Sequence, residues 1–135
     1  MMEYVADAHA LVWHLFASSR LGKSARVILA DAVAGNARIY LPAVAVAEMI
    51  MVIEKRRIPG ITMAQLEIEL GLMQRSANYE FLPLLPDHVI ASRMLTAIPD
   101  IFDRLIAFEA RKLELPLLSR DPIIRASGLV NVVWD

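Results

Sequence analysis

Along the chain, short runs of consecutive apolar residues alternate with longer stretches in which apolar residues return every three or four positions. The short runs predict buried strands, and the periodic stretches predict helices. The predicted strands span residues 3–6, 38–41, 80–84, 115–119 and 130–133. The predicted helices span residues 8–16, 23–34, 43–55, 63–75, 86–97 and 101–113, and Asp121 begins a further short helix.

The alternation of strands and helices predicts an α/β fold built from βα units. We expect a three-layer arrangement, in which a mainly parallel central sheet of about five strands carries helices on both faces. No repeat, low-complexity tract or glycine- and serine-rich linker interrupts the pattern, so residues 1–135 are predicted to form a single domain. Ligands of such sheets bind beyond the carboxyl ends of the strands, and the residues there are the candidate functional residues.

Apolar residues are abundant: they make up 57% of the chain, and the mean hydropathy is +0.48. A membrane-spanning helix needs about 20 mostly apolar residues, whereas the longest apolar run, residues 39–53, is shorter and contains Pro42 and Glu48. We therefore expect no membrane span. The surplus apolar residues are expected to fill a core and to cover an interface with another chain.

Three further features of the composition narrow the function. Glu3 and Asp7 stand where a secretory signal would carry Lys or Arg, so we expect no such signal. The absence of cysteine excludes a disulfide framework and a thiolate metal site, and it fits a cytoplasmic protein. The formal net charge of −1 excludes a protein that holds nucleic acid by bulk positive charge. A role on nucleic acid would need local basic patches or a bound cation.

Two aspartates follow predicted strands at equivalent positions. Asp7 comes directly after the first strand, and Asp121 comes two residues after the end of the fourth. For either residue alone, an equally good interpretation is an N-cap of the helix that follows, because Asp is a favoured cap. Two aspartates at the carboxyl ends of two strands favour a shared site.

Glu48 is the one charged residue within an otherwise apolar stretch of helix. Val44, Ala45, Met51 and Val52, its neighbours on the helix surface, are all apolar. Because an unpaired buried carboxylate is costly, Glu48 needs a partner. The alternatives are a salt bridge to an arginine and a carboxylate that points into a metal site.

Asp103 lies in the first turn of a predicted helix, in line with the apolar residues Ile106, Ala107 and Ala110. This alignment predicts that its carboxylate lies on the buried face of the helix, at the N-terminal end of that face. The alternative is a modest interaction with the helix N-terminus. Asp100, directly after Pro99, is interpreted as the N-cap of the same helix.

Asp7, Glu48, Asp103 and Asp121 would repel one another at one edge of the sheet and raise one another's pKa unless a cation were bound. Their oxygen ligands favour Mg²⁺ or Mn²⁺ over zinc, since neither cysteine nor a suitably spaced histidine pair accompanies them.

The three histidines are interpreted as structural or surface residues. His9 and His14 are five positions apart, which is the wrong spacing for a zinc pair on a helix, and His88 stands alone.

Four short segments carry these acidic residues in a fixed order. They are YVADAHALVW from Tyr4, AVAVAE ending at Glu48, FDRLIA containing Asp103, and PLLSRD ending at Asp121. Their order, spacing and context resemble those of PIN domains, specifically the VapC-like toxins of toxin–antitoxin pairs, over essentially the whole chain. Residues 56–97 carry no motif of that family. Ala8 departs from it, because many relatives have Thr or Ser there.

The resemblance implies a ribonuclease that hydrolyses RNA phosphodiester bonds with Mg²⁺ or Mn²⁺. It also implies that Asp7, Asp103 and Asp121 hold the metal directly or through water, and that Glu48 holds metal or orients the attacking water. All four are therefore candidate catalytic and metal-binding residues. The metal would lower the pKa of the water and neutralise charge on the phosphate.

Basic residues near these segments are candidate phosphate contacts. They are Arg104, Arg120 and the run from Lys55 to Arg57, and the alternative for each is a solvated position at a helix end.

The resemblance further implies a homodimer and a cognate antitoxin that inserts a segment near the acidic site. Both partners would cover surplus apolar surface, for instance around Trp13, Phe16, Met49 and Met51.

Other functions fit the sequence less well. A haloacid-dehalogenase-type phosphatase needs a second Asp two residues after the first, where this chain has His9. A phosphoacceptor signalling domain needs an acidic pair and a late lysine, and neither is present. The alternative that stays open is a catalytically silent PIN module that binds RNA or a protein partner.

Overall fold

Five strands form one sheet at the centre of the structure, which is a computed structural model that describes residues 1–135. The strands are β1 (Met2–Ala6), β2 (Ala37–Pro42), β3 (Tyr79–Leu82), β4 (Leu117–Leu118) and β5 (Val132–Val133). Their order across the sheet is β3-β2-β1-β4-β5, and every neighbouring pair is parallel. The predicted α/β fold with a parallel sheet is confirmed.

Seven helices connect the strands. They are α1 (Ala8–Leu15), α2 (Lys23–Val33), α3 (Ala43–Glu54), α4 (Met63–Gln74), α5 (Pro86–Ser92), α6 (Ile101–Leu113) and α7 (Pro122–Ser127). Among them, α2 packs against β2, α4 against β3 and α6 against β1. The chain runs from β1 outward to β3, then returns to place β4 on the other side of β1. The carboxyl ends of β1 and β4 therefore form the point where the strand order reverses, and in open sheets ligands bind at such a point.

Several predicted boundaries were wrong, each for a local reason. The helix predicted over residues 86–97 ends at Ser92, because the next amides bond to carbonyls only three residues back, as from Leu95 to Ser92. The third strand ends at Leu82, since Pro83 has no amide hydrogen for the ladder. The predicted strands 115–119 and 130–133 shrink to two residues each, because β4 pairs with only Val5 and Ala6 of β1.

The core lies between the sheet and its helices. Ile39 and Leu41 of β2 are fully buried, together with Leu11 of α1 and Ile106 of α6.

The apolar surplus reaches the surface at only some of the predicted positions. Met49 is fully buried and Trp13 is 6% exposed, so the prediction that these two cover an interface was wrong. Phe16 and Met51 are partly exposed, and for them it stays a prediction. Where a helix is apolar on all sides, its sequence does not indicate which face is buried. Six apolar side chains that are more than half exposed stand elsewhere, on or beside α2, α4 and α5: Val27, Val33, Ile68, Leu72, Ile90 and Met94.

The helices are also short or interrupted by charge, and none has the length and apolar character needed to cross a bilayer.

Trp134, directly after β5, fastens the beginning of α2. Its carbonyl oxygen accepts a hydrogen bond of 3.0 Å from the amide of Ala25, in the first turn of that helix. Gly22 is the N-cap, and a Cβ added there would lie 2.6 Å from Cδ1 of Trp134 and closer still to its carbonyl oxygen. The ring of Trp134 in turn meets the ring of Trp13 edge-on, with centroids 5.8 Å apart. A residue without a side chain is therefore required at position 22.

We expect Gly22→Ala to destabilise the protein by about 1–3 kcal/mol, because the added methyl group forces the Trp134 backbone away from α2. The corresponding fall in Tm is roughly 3–10 °C, measured by circular dichroism. Gly71→Ala is the matched control, because a Cβ there lies 3.6 Å from its nearest neighbour, Nη1 of Arg75. Within α4, that change should stabilise the protein by about 0.5–1 kcal/mol. A Gly22→Ala protein that melts no lower than wild type would contradict this account of the packing.

Candidate acidic active site

One cavity of about 350 Å³ opens at the carboxyl edge of the sheet, and four carboxylates line it. They are Asp7, Glu48, Asp103 and Asp121, each from a different segment of the chain. The structure thus brings together all four acidic residues that the sequence singled out. The remaining lining residues are His9, Trp13, Arg20, Arg120 and Pro122.

Asp7 occupies the junction between β1 and α1. Its Oδ1 accepts a hydrogen bond of 2.9 Å from the amide of Ala10, which makes Asp7 the N-cap of α1. Burial raises the pKa of its carboxyl group, and hydrogen bonds from Ser119 and from the Ala10 amide oppose that rise. The sequence left two alternative roles for Asp7, an N-cap and a residue of a shared site. Both apply, because the capping hydrogen bond fixes a carboxylate that also faces the cavity.

Asp121 repeats this arrangement after β4. Its Oδ1 accepts hydrogen bonds from the amides of Ile123 at 2.7 Å and Ile124 at 3.3 Å, at the start of α7. The Asp121 amide donates to Oγ of Ser119 at 3.1 Å. The fully buried Ser119 is therefore in contact with both capping aspartates, and its hydroxyl fixes how they sit relative to each other.

Glu48 points from the half-buried face of α3 into the cavity. It makes no salt bridge, so the interpretation as the partner of an arginine was wrong. Burial raises its pKa to about 7, assisted by the negative charges of Asp7, Asp100 and Asp121, while the charge of Arg57 opposes the rise.

Asp103 lies in the first turn of α6, and the phase predicted from the sequence is correct, because Ile106, Ala107 and Ala110 are all fully buried. Burial raises the pKa of Asp103 to about 8, helped by a hydrogen bond with the carboxyl group of Asp121 and by neighbouring negative charges. Asp100 caps the helix by accepting a hydrogen bond of 3.1 Å from the Asp103 amide, and it does not line the cavity.

No carboxylate of the cavity forms a salt bridge. The structure contains an ion pair of Arg38 with Glu80 at 3.3 Å and a hydrogen bond of 2.8 Å between Nδ1 of His88 and Oε1 of Glu109, and both lie outside the cavity. The four carboxylates are also spread around the cavity, since no three His, Cys, Asp or Glu side chains form a group that could hold a metal ion as they stand.

Four lining residues were not predicted as part of the site: His9, Trp13, Arg20 and Pro122. His9 was interpreted as structural or surface because its spacing does not suit zinc, although its place two residues after Asp7 could have suggested the site. Arg20 lies in an irregular turn that has no periodic signal.

The predicted basic contacts divide into three groups. Arg120 lines the cavity. Arg57 does not line it, although its charge reaches Glu48, and Lys55 and Arg56 beside it are exposed. Arg104 is committed elsewhere, because its Nε donates a hydrogen bond of 2.8 Å to the carbonyl of Ile98.

Comparisons with known proteins agree with this architecture. A family model described as PIN domain matches residues 4–127. No curated protein matches the chain by sequence. A similar fold occurs in the crystal structure of VapBC2 from Rickettsia felis bound to a DNA fragment from their promoter, with a TM-score of 0.69 and 17% identity over 99% of this chain and 100% of that one.

Two further solved structures share the fold. FitAcB from Neisseria gonorrhoeae matches with a TM-score of 0.64 and 14% identity, over 96% of this chain and 95% of that one. PAE2754 from Pyrobaculum aerophilum matches with a TM-score of 0.63 and 16% identity, over 97% of this chain and 83% of that one. At such low identity the likeness concerns the fold alone.

The raised pKa values predict how stability depends on pH in the absence of metal. A carboxyl group with a higher pKa in the folded state holds its proton more tightly there, so its stabilising contribution is lost as pH rises through the folded pKa. The folded value is about 8 for Asp103 against an ordinary 3.8, and about 7 for Glu48 against 4.5. In a chelator, the Tm of the wild type should therefore fall between about pH 5 and pH 8.

Asp103→Asn should show a smaller fall over the same pH range, because the substituted side chain carries no titrating proton. Asp31→Asn, which changes an exposed aspartate on α2, is the matched control and should follow the wild type. Equal slopes of Tm against pH for wild type and Asp103→Asn would show that the cavity does not hold this proton.

Proposed function

This chain belongs to the PIN domain family, and from that premise we propose that it is an endoribonuclease that hydrolyses RNA phosphodiester bonds with Mg²⁺ or Mn²⁺. The observation that carries the proposal is the single cavity lined by Asp7, Glu48, Asp103 and Asp121, in which no side-chain cation pairs with a carboxylate. Carboxylates that repel one another in a partly buried cavity favour the binding of a cation.

The donor set fits a hard divalent cation. It consists of carboxylate oxygens without cysteine, and His9 is the sole imidazole in the lining. Because no three donors stand close enough to hold an ion, chelation requires their side chains to draw together. Asp7, Asp103 and Asp121 would hold the ion, and Glu48 would hold it or orient the attacking water. When bound, the ion neutralises charge on the phosphate and lowers the pKa of the water.

The side chains around the cavity have different roles in the reaction. The capping bonds of Asp7 and Asp121 fix two carboxylates on the rigid ends of β1 and β4, which keeps them aligned without further partners. Glu48 faces the cavity from α3, where it would accept a proton from the attacking water. In the hydrolysis, the water oxygen would bond to phosphorus and its proton would pass to Glu48, while the bond from phosphorus to the leaving ribose oxygen would break and that oxygen would take up a proton from solvent.

We further propose that the chain is the toxin of a toxin–antitoxin pair in the cytoplasm, with a cognate antitoxin as partner and a homodimer as its assembly. The resemblance of its four acidic segments to VapC-like toxins supports this role. Similar folds occur in VapBC2 and in FitAB, each solved bound to a DNA fragment. The exposed apolar side chains on α2, α4 and α5 offer surface for both protein partners.

A catalytically silent PIN module that binds RNA or a protein partner is the second candidate. The observation in its favour is that no three potential ligands are grouped to hold a metal ion. Activity measured against metal concentration separates the two candidates.

Purified protein free of any partner should cleave single-stranded RNA in Mg²⁺ or Mn²⁺ and lose that activity in EDTA, because the carboxylates need the cation to approach a phosphate. Asp103→Asn should abolish cleavage. Asp100→Asn should retain most of it, since Asn is also a good N-cap and position 100 does not line the cavity. Cleavage that persists in chelator, or equal losses in the two variants, would overturn the assignment of the site.

If the chain is a toxin, its expression alone should arrest the growth of a bacterial host, and Asp7→Asn should relieve the arrest. Asn can preserve the cap of α1 while removing one negative charge from the cavity. Growth curves are compared at equal soluble protein levels. Arrest that continues with the variant would assign the toxicity to something other than this site.

A further inference from the structure

Arg120 lies over an aromatic ring in the lining of the acidic cavity. Its guanidinium carbon lies 5.3 Å from the centroid of the Trp13 ring, within the range of a cation–π contact. Trp13 is itself nearly buried and is fixed by the rings of His9, at 5.3 Å, and Trp134, at 5.8 Å. An otherwise flexible arginine therefore has a defined position beside the carboxylates.

Arg20 lies in the wall of the same cavity, on the turn between α1 and α2. The Ser18 hydroxyl accepts a hydrogen bond of 3.1 Å from the Arg20 amide. The guanidinium of Arg26 donates to the carbonyls of Ser18 and Leu21, at 3.3 and 3.1 Å, and so braces the turn on both sides of Arg20. The backbone that carries Arg20 is thus fixed.

Neither guanidinium uses its hydrogen-bond donors within the protein. Arg20 and Arg120 make no salt bridge and donate no side-chain hydrogen bond, although four carboxylates line the cavity with them. By contrast, Arg26, Arg104 and Arg111 all donate to backbone carbonyls. Two positioned guanidiniums with unused donors, beside carboxylates that would hold a metal ion, match a ligand that carries negative charge beyond the metal-binding atoms.

We infer that Arg20 and Arg120 form a subsite for a backbone phosphate of single-stranded RNA, next to the phosphate that the carboxylates and their metal would engage, and that Trp13 positions Arg120 in it. This inference rests on the proposed function, because it places the rest of the substrate chain. Guanidinium donors match phosphate oxygens in geometry. A cavity of about 350 Å³ is small for a ligand pocket, so it accommodates a short extended segment of chain.

The test measures RNA affinity separately from cleavage. The binding partner is a short single-stranded RNA, and the protein carries Asp103→Asn so that no cleavage occurs in Mg²⁺. In this background Arg120→Ala and Arg20→Ala should each weaken binding about tenfold, and each should reduce the slope of log K against log salt by about 0.7. Arg120→Lys keeps the charge but loses the forked guanidinium donors, so it should weaken binding by about threefold.

Arg75→Ala is the matched control, because Arg75 is an exposed arginine at the end of α4 that does not line the cavity. It should bind RNA within about twofold of the parent, since it removes the same charge from elsewhere on the surface. In the background with an intact Asp103, Arg120→Ala should raise KM and change kcat little, as expected for a contact that holds the substrate away from the reacting atoms.

The outcomes separate this inference from the proposed function. Metal-dependent cleavage combined with unchanged RNA affinity in the Arg20 and Arg120 variants would overturn the subsite and leave the nuclease intact. Arginine-dependent RNA binding without any cleavage by the wild type would support the subsite and overturn the nuclease. If the variants lose affinity for a polyglutamate peptide but not for RNA, the arginines recognise an acidic polypeptide, and the RNA assignment is wrong.

Discussion

Repulsion among four carboxylates at the carboxyl edge of the sheet is the interaction around which the surrounding structure is arranged. No side-chain cation forms a salt bridge with these groups, so the negative charge is accommodated in two other ways. Backbone amides at the starts of α1 and α7 stabilise Asp7 and Asp121. Protons stabilise the others, because Asp103 and Glu48 hold theirs up to pKa values of about 8 and 7.

The four carboxylates also differ in how firmly the backbone holds them. A capping aspartate cannot swing away without exposing the orphan amides of its helix, so Asp7 and Asp121 are anchored to the sheet. Glu48 and Asp103 project from helix surfaces, and no backbone amide donates a hydrogen bond to their carboxyl oxygens. We therefore expect these two side chains to move when a cation binds. Asp7 and Asp121, which both contact Ser119, would stay in place.

Periodicity in the sequence was enough to predict the parallel sheet, most helices and the phase that turns Asp103 inward. These features depend on which residues are apolar and on how often they recur. The end of α5 at Ser92 depends on local hydrogen bonds, such as the one that the Ser92 hydroxyl donates to the carbonyl of Val89. Such bonds leave no periodic pattern of apolar residues in the sequence. The same limit explains why Arg20 was missed, since its turn contains Ala17 in a left-handed conformation, with φ of 52°. The burial of Met49 required knowledge of tertiary packing.

The order of the strands has a consequence in time. β1 and β4 are neighbours in the sheet, although β2, β3 and six helices lie between them along the sequence. Asp7 and Asp121 follow these two strands, so their carboxylates meet only after this long-range pairing has formed. A chain in which β1 and β4 have not yet paired therefore lacks the acidic cavity altogether.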